Sequence, residues 1–580
     1  VPNLPEFSLT FWDYVAFGAF FVVLSAIGYW AGRKERGSPD EYFLAGRKLP
    51  WYVVGGSFIA SNISSEHFIG MIGAAFIYGQ CVSMWCWGNV LVFSFLIWLF
   101  IPFLLASRVF TIPEFLERRF NSTLRYLFAF VTVLSNVVAF LAAVLYGGGL
   151  ALNKIFGWDL WFAIVVLGIV AGSWAIYGGL SSVAWTDLFT VVVMILGGIM
   201  VTVLGLKALA GESGSLVDGV RVMLQCNVAN EGPWKEAVQA TAQTIVGRDE
   251  YSRLSVLQPH THRLIPWSGM IFGAFSIGIW YSVLNQFMIQ RVLGAKNSYH
   301  ARMGIVLAGF TQALLPLIIV VPGLIFFAMR PEILLLPWDD IAPEADKTFV
   351  SMVQMLVPVG LRGLVLAALF GAIQSTVNSV LNSTATIVTL DIYKRLLRPA
   401  ATSSHLVRVG IGTSVFVLVL GIVLAHFIGM FGGGLFVYIQ TLYAFFAPPF
   451  ATVFLLGILW RRINASGATV TVLFGFAMGV ALKLYCWLVP SHPCWIEPFI
   501  TQAIITWALC VPVCIFASLL TSPPAPEQVT DQLTFNWRKL NIFDDLGSPW
   551  YKNVVTWWGL LVILVITLVT TCSPLVLRGY

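Results

Sequence analysis

Gly56-Ser57-Phe58-Ile59-Ala60-Ser61-Asn62-Ile63-Ser64-Ser65-Glu66-His67-Phe68-Ile69-Gly70 lies inside an apolar run, 51–77, long enough to cross a membrane. From Ser61 to His67, six of seven residues are polar and one is acidic. Hydrocarbon tolerates such a stretch only where it faces protein or a water-filled cavity. Close helix packing by small residues accounts for Gly56 and Ser57, but not for Asn62, Glu66 and His67 together. The pattern predicts a broken helix of the kind that builds a transporter's binding site.

Two further polar places share this character. At 275–291, Gly278, Tyr281 and Ser282 interrupt an apolar run that ends in Asn285, Gln286 and Arg291. The first break opens a block of five spans (51–209) and the second opens another (265–459). Breaks at corresponding positions point to an inverted-repeat secondary transporter. The third place is Gly371–Thr384, where eight of fourteen residues carry side-chain oxygen. Ser375, Asn378, Ser379 and Asn382 recur at helical spacing. Hydroxyls can bond back to their own helix; facing the carbonyls freed near Ala60 and Ile63, they also offer neutral ligands to a hard cation such as sodium.

Composition agrees with the membrane reading. The 580 residues are 58% hydrophobic and 10% charged, against roughly 25% charged in soluble domains, and the mean hydropathy is +0.85. A soluble enzyme or a nucleic-acid binder is excluded on these grounds. Fourteen runs reach span length: 11–32, 51–77, 80–106, 124–153, 158–178, 183–209, 265–290, 303–329, 350–393, 406–430, 433–459, 465–490, 496–521 and 553–575. The expected fold class is an all-α polytopic membrane protein with a five-plus-five core. Its expected parts are an N-terminal helix and cytoplasmic loop (1–50), first repeat (51–209), extracellular loop (210–264), second repeat (265–460), flanking helices (461–521), cytoplasmic linker (522–552) and C-terminal helix (553–580).

Alternate loops carry the base: Arg33, Lys34, Arg36, Arg47 and Lys48; Arg108, Arg118, Arg119 and Arg125; Arg291, Lys296 and Arg302; Lys394, Arg395, Arg398 and Arg408; Arg461 and Arg462. One opposite loop is acidic, with Glu332, Asp339, Asp340, Glu344 and Asp346. The asymmetry places the basic side in the cytoplasm of a cell membrane and, with fourteen spans, both termini outside. No basic segment precedes the first apolar run, so no cleavable signal is expected. The soluble stretches lack phosphate-cradle and HExxH patterns, so neither ATP-driven transport nor an enzyme is expected. Cys486 and Cys494 share a short external loop, which leaves a disulfide open.

A set of motifs now stands out. Glu41-Tyr42-Phe43-Leu44-Ala45-Gly46, Ala60-Ser61-Asn62-Ile63, Thr111-Ile112-Pro113-Glu114-Phe115, Tyr177-Gly178-Gly179-Leu180, Trp185-Thr186-Asp187 and Gln290-Arg291 resemble the sodium:solute symporter family. Leu381–Thr386, Asp391-Ile392-Tyr393 and Tyr438-Ile439-Gln440 extend the resemblance over roughly 10–520, nearest to its sodium/glucose and sodium/galactose branch. It implies an amino-acid-transporter-like fold and sodium as the coupling ion. The implied sodium ligands are the carbonyls of Ala60, Ile63 and Ala372 with the hydroxyls of Ser375 and Thr376. Members with a second sodium imply Asp187, Asn378 and Ser379 for it.

The resemblance also implies a solute site of His67, Cys86, Asn89, Gly278, Tyr281, Gln312 and Gln440. Tyr281 is the inner-gate aromatic and Gln440 the hydroxyl-reading amide. The family's carboxylate is replaced by Cys86, its partner is Asn89, the polar group of the seventh core helix is Gln312, and that of the sixth is Gly278. Neutral groups at those positions point to a neutral polyhydroxylated solute and leave glucose or galactose unassigned. A carboxylate solute such as sialic acid would favour a site cation, and the third core span holds only Arg125, at its end. The leading expectation is a sodium-driven symporter of a neutral sugar or polyol. The alternatives are another small solute (organic anion, vitamin, sialic acid) or a sodium-dependent sugar sensor that does not transport.

Overall fold

The computed structural model describes residues 9–33, 38–428, 434–489, 491–536 and 543–577, leaving out the side chains of 174–178 and Cys494. Lys34 and Arg36 of the first basic loop lie outside the described residues, as does the Cys494 side of the disulfide question; Cys486 is a free thiol. The described residues form helices without a named strand, as an all-α membrane fold requires, because each helix satisfies its own backbone in hydrocarbon.

Among the described residues, eleven helices are long and apolar enough to cross a membrane, or twelve if the bent pair Gly269–Leu284 and Gln286–Leu293 is one span. The expected count of fourteen is therefore not reproduced. The shortfall has two sources. The second span is split into Trp51–Asn62 and Glu66–Tyr78, each too short alone, and of the fifth only Leu160–Ser173 lies among residues described with their side chains. The long run at 350–393 resolves into Thr348–Leu356 and the span Arg362–Leu397.

The oxygen-rich helix Arg362–Ile387 lies at the centre, and every residue from Val365 to Ile387 is buried. It packs between Leu160–Ala210, Phe11–Gly32 and Ser403–Ala425. The eight oxygen-bearing side chains of Gly371–Thr384 are compatible with an intramembrane position here because protein, not lipid, surrounds them. At the periphery, Val554–Thr571 buries only Val554 and Leu561, as a lipid-facing helix does.

Leu160–Ala210 is two helices joined at Gly179, whose φ of 59° and ψ of −161° break the helical path. A Cβ there would lie 2.4 Å from the Tyr42 carbonyl oxygen. Both the positive φ and the close approach require glycine. The turn thereby aims the second half, with Asp187, at the central helix.

Candidate functional site

Two interrupted spans build the site. Trp51–Asn62 ends where Ile63 turns extended (φ −79°, ψ 118°), with its N–H still donating to Ile59 O at 2.9 Å. The chain restarts as Ser64 Oγ accepts the Glu66 N–H at 3.1 Å, a side-chain cap on the new helix. The second interruption is at Asn285 (φ −69°, ψ 122°), three residues beyond the Gly278–Ser282 cluster, and the two halves are bent by 52°. Asn285 Oδ1 accepts the Phe287 N–H at 3.4 Å. Each break therefore has one extended residue and a side-chain oxygen beside it, and no backbone N–H reaches the Ala60 carbonyl among the described residues.

Between the breaks lies a cavity of about 450 Å³ empty volume. Asn62, Glu66 and His67 come from the first broken span, Trp85 and Asn89 from the next helix, and Ala274, Ile277, Gly278 and Tyr281 from the second broken span. Gln440 and Tyr443, one helical turn apart on Leu435–Leu459, complete it. Tyr281, Tyr443 and Phe140 form an aromatic floor, with Tyr281 and Tyr443 centroids 5.6 Å apart. Gly278 permits close approach: a Cβ there would meet Val92 Cγ2 at 2.5 Å.

Five of the seven expected solute residues thus line one cavity: His67, Asn89, Gly278, Tyr281 and Gln440. Cys86 and Gln312 do not. Cys86 is fully buried, and Gln312 stands behind the wall, its Oε1 accepting from Asn62 Nδ2 at 2.6 Å. Glu66, which the expected solute residues leave out, joins them. Its carboxylate lines the cavity, accepts from Gln440 Nε2 at 2.6 Å and has no ion-pair partner among the described residues. Its place beside His67, on the rim of the break, is the signal that locates it. Tyr443 is legible in the same way, three residues after Gln440.

The expected cation ligands converge as well. Ser375 Oγ donates to Asp187 Oδ1 at 2.6 Å, and Ser57 Oγ donates to Asp187 Oδ2 at 2.6 Å. Thr376 Oγ1 donates to Ala372 O at 3.1 Å. Both hydroxyl protons are thereby engaged, which leaves oxygen lone pairs for a cation. Ser61 and Ser379 hydroxyls meet at 2.9 Å. Arg291 joins the same cluster: Nη2 lies 3.5 Å from Asp187 Oδ2, Nε donates to Ser57 Oγ at 3.0 Å, and Nη2 also donates to Ser379 Oγ. Asn378 Oδ1 is buried without a hydrogen-bond partner among the described residues.

The cavity is closed toward the basic face. Thr111 Oγ1 and Arg125 both bond Asp391, at 3.0 and 2.6 Å, and Arg125 also pairs with Glu117. Gln286 Nε2 donates to Phe110 O at 3.0 Å, and Gln290 Nε2 to Phe43 O at 2.6 Å and Thr386 Oγ1 at 3.0 Å. Toward the other face Trp85 packs against Phe436 and Phe499, with centroids 5.9 and 6.0 Å away. Arg253 donates to the Phe76 and Ile77 carbonyls at 2.7 Å each, which caps the C-terminal end of Glu66–Tyr78.

Residues 42–475 match the model of the sodium:solute symporter family. A sodium/glucose cotransporter of Vibrio parahaemolyticus is 33% identical over 552 residues, covering 93% of this chain and 96% of that protein. A human sodium/myo-inositol cotransporter is 31% identical over 91% of this chain and 76% of its own length. The solved structure of a substrate-bound, outward-open, Na+-coupled sialic acid symporter superposes with a TM-score of 0.70 at 19% identity, covering 89% of this chain and 99% of that one, a likeness of fold.

Proposed function

The chain belongs to the sodium:solute symporter family, and on that premise we propose that it imports a neutral sugar or polyol with sodium, by alternating access. One observation carries the reading: a cavity between two broken helices whose wall combines aromatic faces with hydroxyl-reading groups. Tyr281 and Tyr443 offer flat apolar surfaces to a ring, while Glu66, His67, Asn89 and Gln440 offer donors and acceptors to hydroxyls. Relatives that carry glucose and myo-inositol fit the same solute class. Glu66 supplies the carboxylate that Cys86 lacks.

Sodium binds, in this reading, to the carbonyls of Ala60, Ile63 and Ala372 and the hydroxyls of Ser375 and Thr376. Neutral oxygens at a helix break suit weak, reversible binding, and the Ser375–Asp187 bond orients one of them. The ion joins the halves of the first broken span, Tyr281 closes beneath the solute, and opening of the Asp391 cluster releases both. A second ion at Asp187, Asn378 and Ser379 would have to displace Arg291 from the carboxylate. The repeats comprise 51–209 and 265–460, and the basic loops face the cytoplasm with both termini outside.

Purified protein in proteoliposomes, given a sodium gradient, should accumulate labelled glucose, galactose or myo-inositol above equilibrium, with no accumulation when choline replaces sodium. Ser375→Ala with Thr376→Ala should abolish the sodium dependence. Sodium-dependent ligand binding without accumulation would instead identify a sensor.

A further inference from the structure

On the basic face, a groove of about 1230 Å³ empty volume lies where Ser298–Leu314 meets the last span, Val554–Thr571. One wall is apolar, formed by Met303, Val306, Leu307 and Phe310. Trp557 closes it from the last span, edge-on to Phe310 with centroids 6.2 Å apart. The other end is polar and aromatic, with His300 and Lys552 between Trp51 and Tyr551. From His300 to Phe310 the helix rises about 15 Å, one leaflet's share of a hydrocarbon core about 30 Å thick. A polar mouth at one end of a leaflet-long apolar wall matches the shape of a single lipid.

The mouth also matches a lipid in charge. Lys552 Nζ lies 5.9 Å from the Tyr551 ring centroid, and no carboxylate pairs with it among the described residues. His300 Nδ1 accepts the Trp51 N–H at 3.2 Å, so in the neutral ring Nε2 carries the proton and can donate to a phosphate oxygen. Of the two acids near this end, Asp545 accepts the Tyr299 N–H at 3.0 Å and Asp544 accepts the Asp545 N–H at 3.1 Å. Trp and Tyr at such a level are the side chains that sit among headgroups.

We propose that this groove holds one anionic phospholipid of the leaflet on the basic face, its phosphate at Lys552 and His300 and an acyl chain along Met303–Phe310. The site is separate from the solute cavity and does not rest on the transport reading. It has a mechanical connection to it, because Trp51 opens the helix that ends at the Ile63 break. A headgroup bonded to His300 braces the N-terminal end of that helix.

Native mass spectrometry of the full chain tests this, after exchange into detergent with dioleoylphosphatidylglycerol or dioleoylphosphatidylcholine. Retention of the glycerol lipid over the choline lipid is expected. Lys552→Gln should lower it about fivefold, the factor one basic side chain contributes beside an anionic headgroup, while Lys552→Arg keeps it. A diazirine-tailed phosphatidylglycerol should crosslink the wild-type chain between Met303 and Phe310. Equal retention of the two lipids, unchanged retention in Lys552→Gln, crosslinks elsewhere, or a second copy of the chain crosslinked across the groove would each overturn the proposal.

Discussion

Glu66, Asp187 and Arg291 are ionisable groups that the membrane interior holds near the cavity, and they are handled differently. Arg291 faces Asp187 across 3.5 Å, with the serines around them sharing the remaining donors and acceptors. Removing one member strands the other, which costs about 3–5 kcal/mol. Arg291→Gln should therefore melt far below wild type in detergent, and Arg291→Gln with Asp187→Asn should recover most of the loss; equal melting of single and double variants would contradict the pairing. Among the described residues the Glu66 side chain has only Gln440 as partner, so its second oxygen is available to solute. A buried polar group left without its hydrogen-bond partner costs about 1–3 kcal/mol, so Glu66→Gln should raise KM for the solute on the order of 10- to 100-fold with sodium affinity little changed. The local pattern Ser61–His67 carries the break and places His67 on the cavity, because a polar run inside an apolar one has few structural outlets. It does not carry the pairing of Asp187 with Arg291, 104 residues apart, nor the exclusion of Cys86, since a helix turn decides which of Trp85 and Cys86 faces inward.

Among the elements, the joints are the sensitive parts. Gly179 is held by its own positive φ and by the Tyr42 carbonyl 2.4 Å from any Cβ. Gly179→Ala should destabilise the protein by more than the ~1 kcal/mol that separates the two residues elsewhere, read as a lowered melting temperature. Leu435–Leu459, which brings Gln440 to the cavity, begins at a buried acid: Asp346 Oδ2 accepts the Leu435 N–H at 3.1 Å. Burial pushes the Asp346 carboxyl up to about 7, against the opposing effect of that bond. Its folded value exceeds the ordinary 3.8, so protonation favours the folded state and this contribution is lost as pH rises from about 4 through 7. Melting of wild type relative to Asp346→Asn should decline over that interval; parallel curves would remove Asp346 from the account. Spans and their order are legible from hydropathy because twenty apolar residues have one use. Where a helix stops inside a span is less so: the second break falls at Asn285, beyond the small residues that mark it in the chain, because Gly and Ser there serve close packing while Asn285 supplies the cap.

For the whole molecule, the contacts that flank one cavity on either face bear on access to it. The Asp391 cluster joins two distant parts of the chain on the basic face, Thr111 and Arg125 from one and Asp391 from the other. Several recognisable motifs, Thr111–Phe115, Gln290-Arg291 and Asp391–Tyr393, meet there or beside it, although their spacing in the chain gives no hint of a common place. Asp391→Asn removes an ion pair that, in the proposed alternating-access cycle, holds that face shut. It should raise maleimide labelling of Asn382→Cys from the basic side severalfold and lower apparent sodium affinity; unchanged labelling would place the lock elsewhere. The Asp187–Arg291 pair has a further, electrical meaning. Opposite charges fixed together inside the protein form a dipole with no net charge for the membrane potential to pull, so the pair adds nothing to the voltage sensitivity of the empty carrier's return. Each sodium that crosses with solute is by contrast uncompensated, and 100 mV, negative inside, then contributes about 2.3 kcal/mol per ion to the loaded half of the cycle.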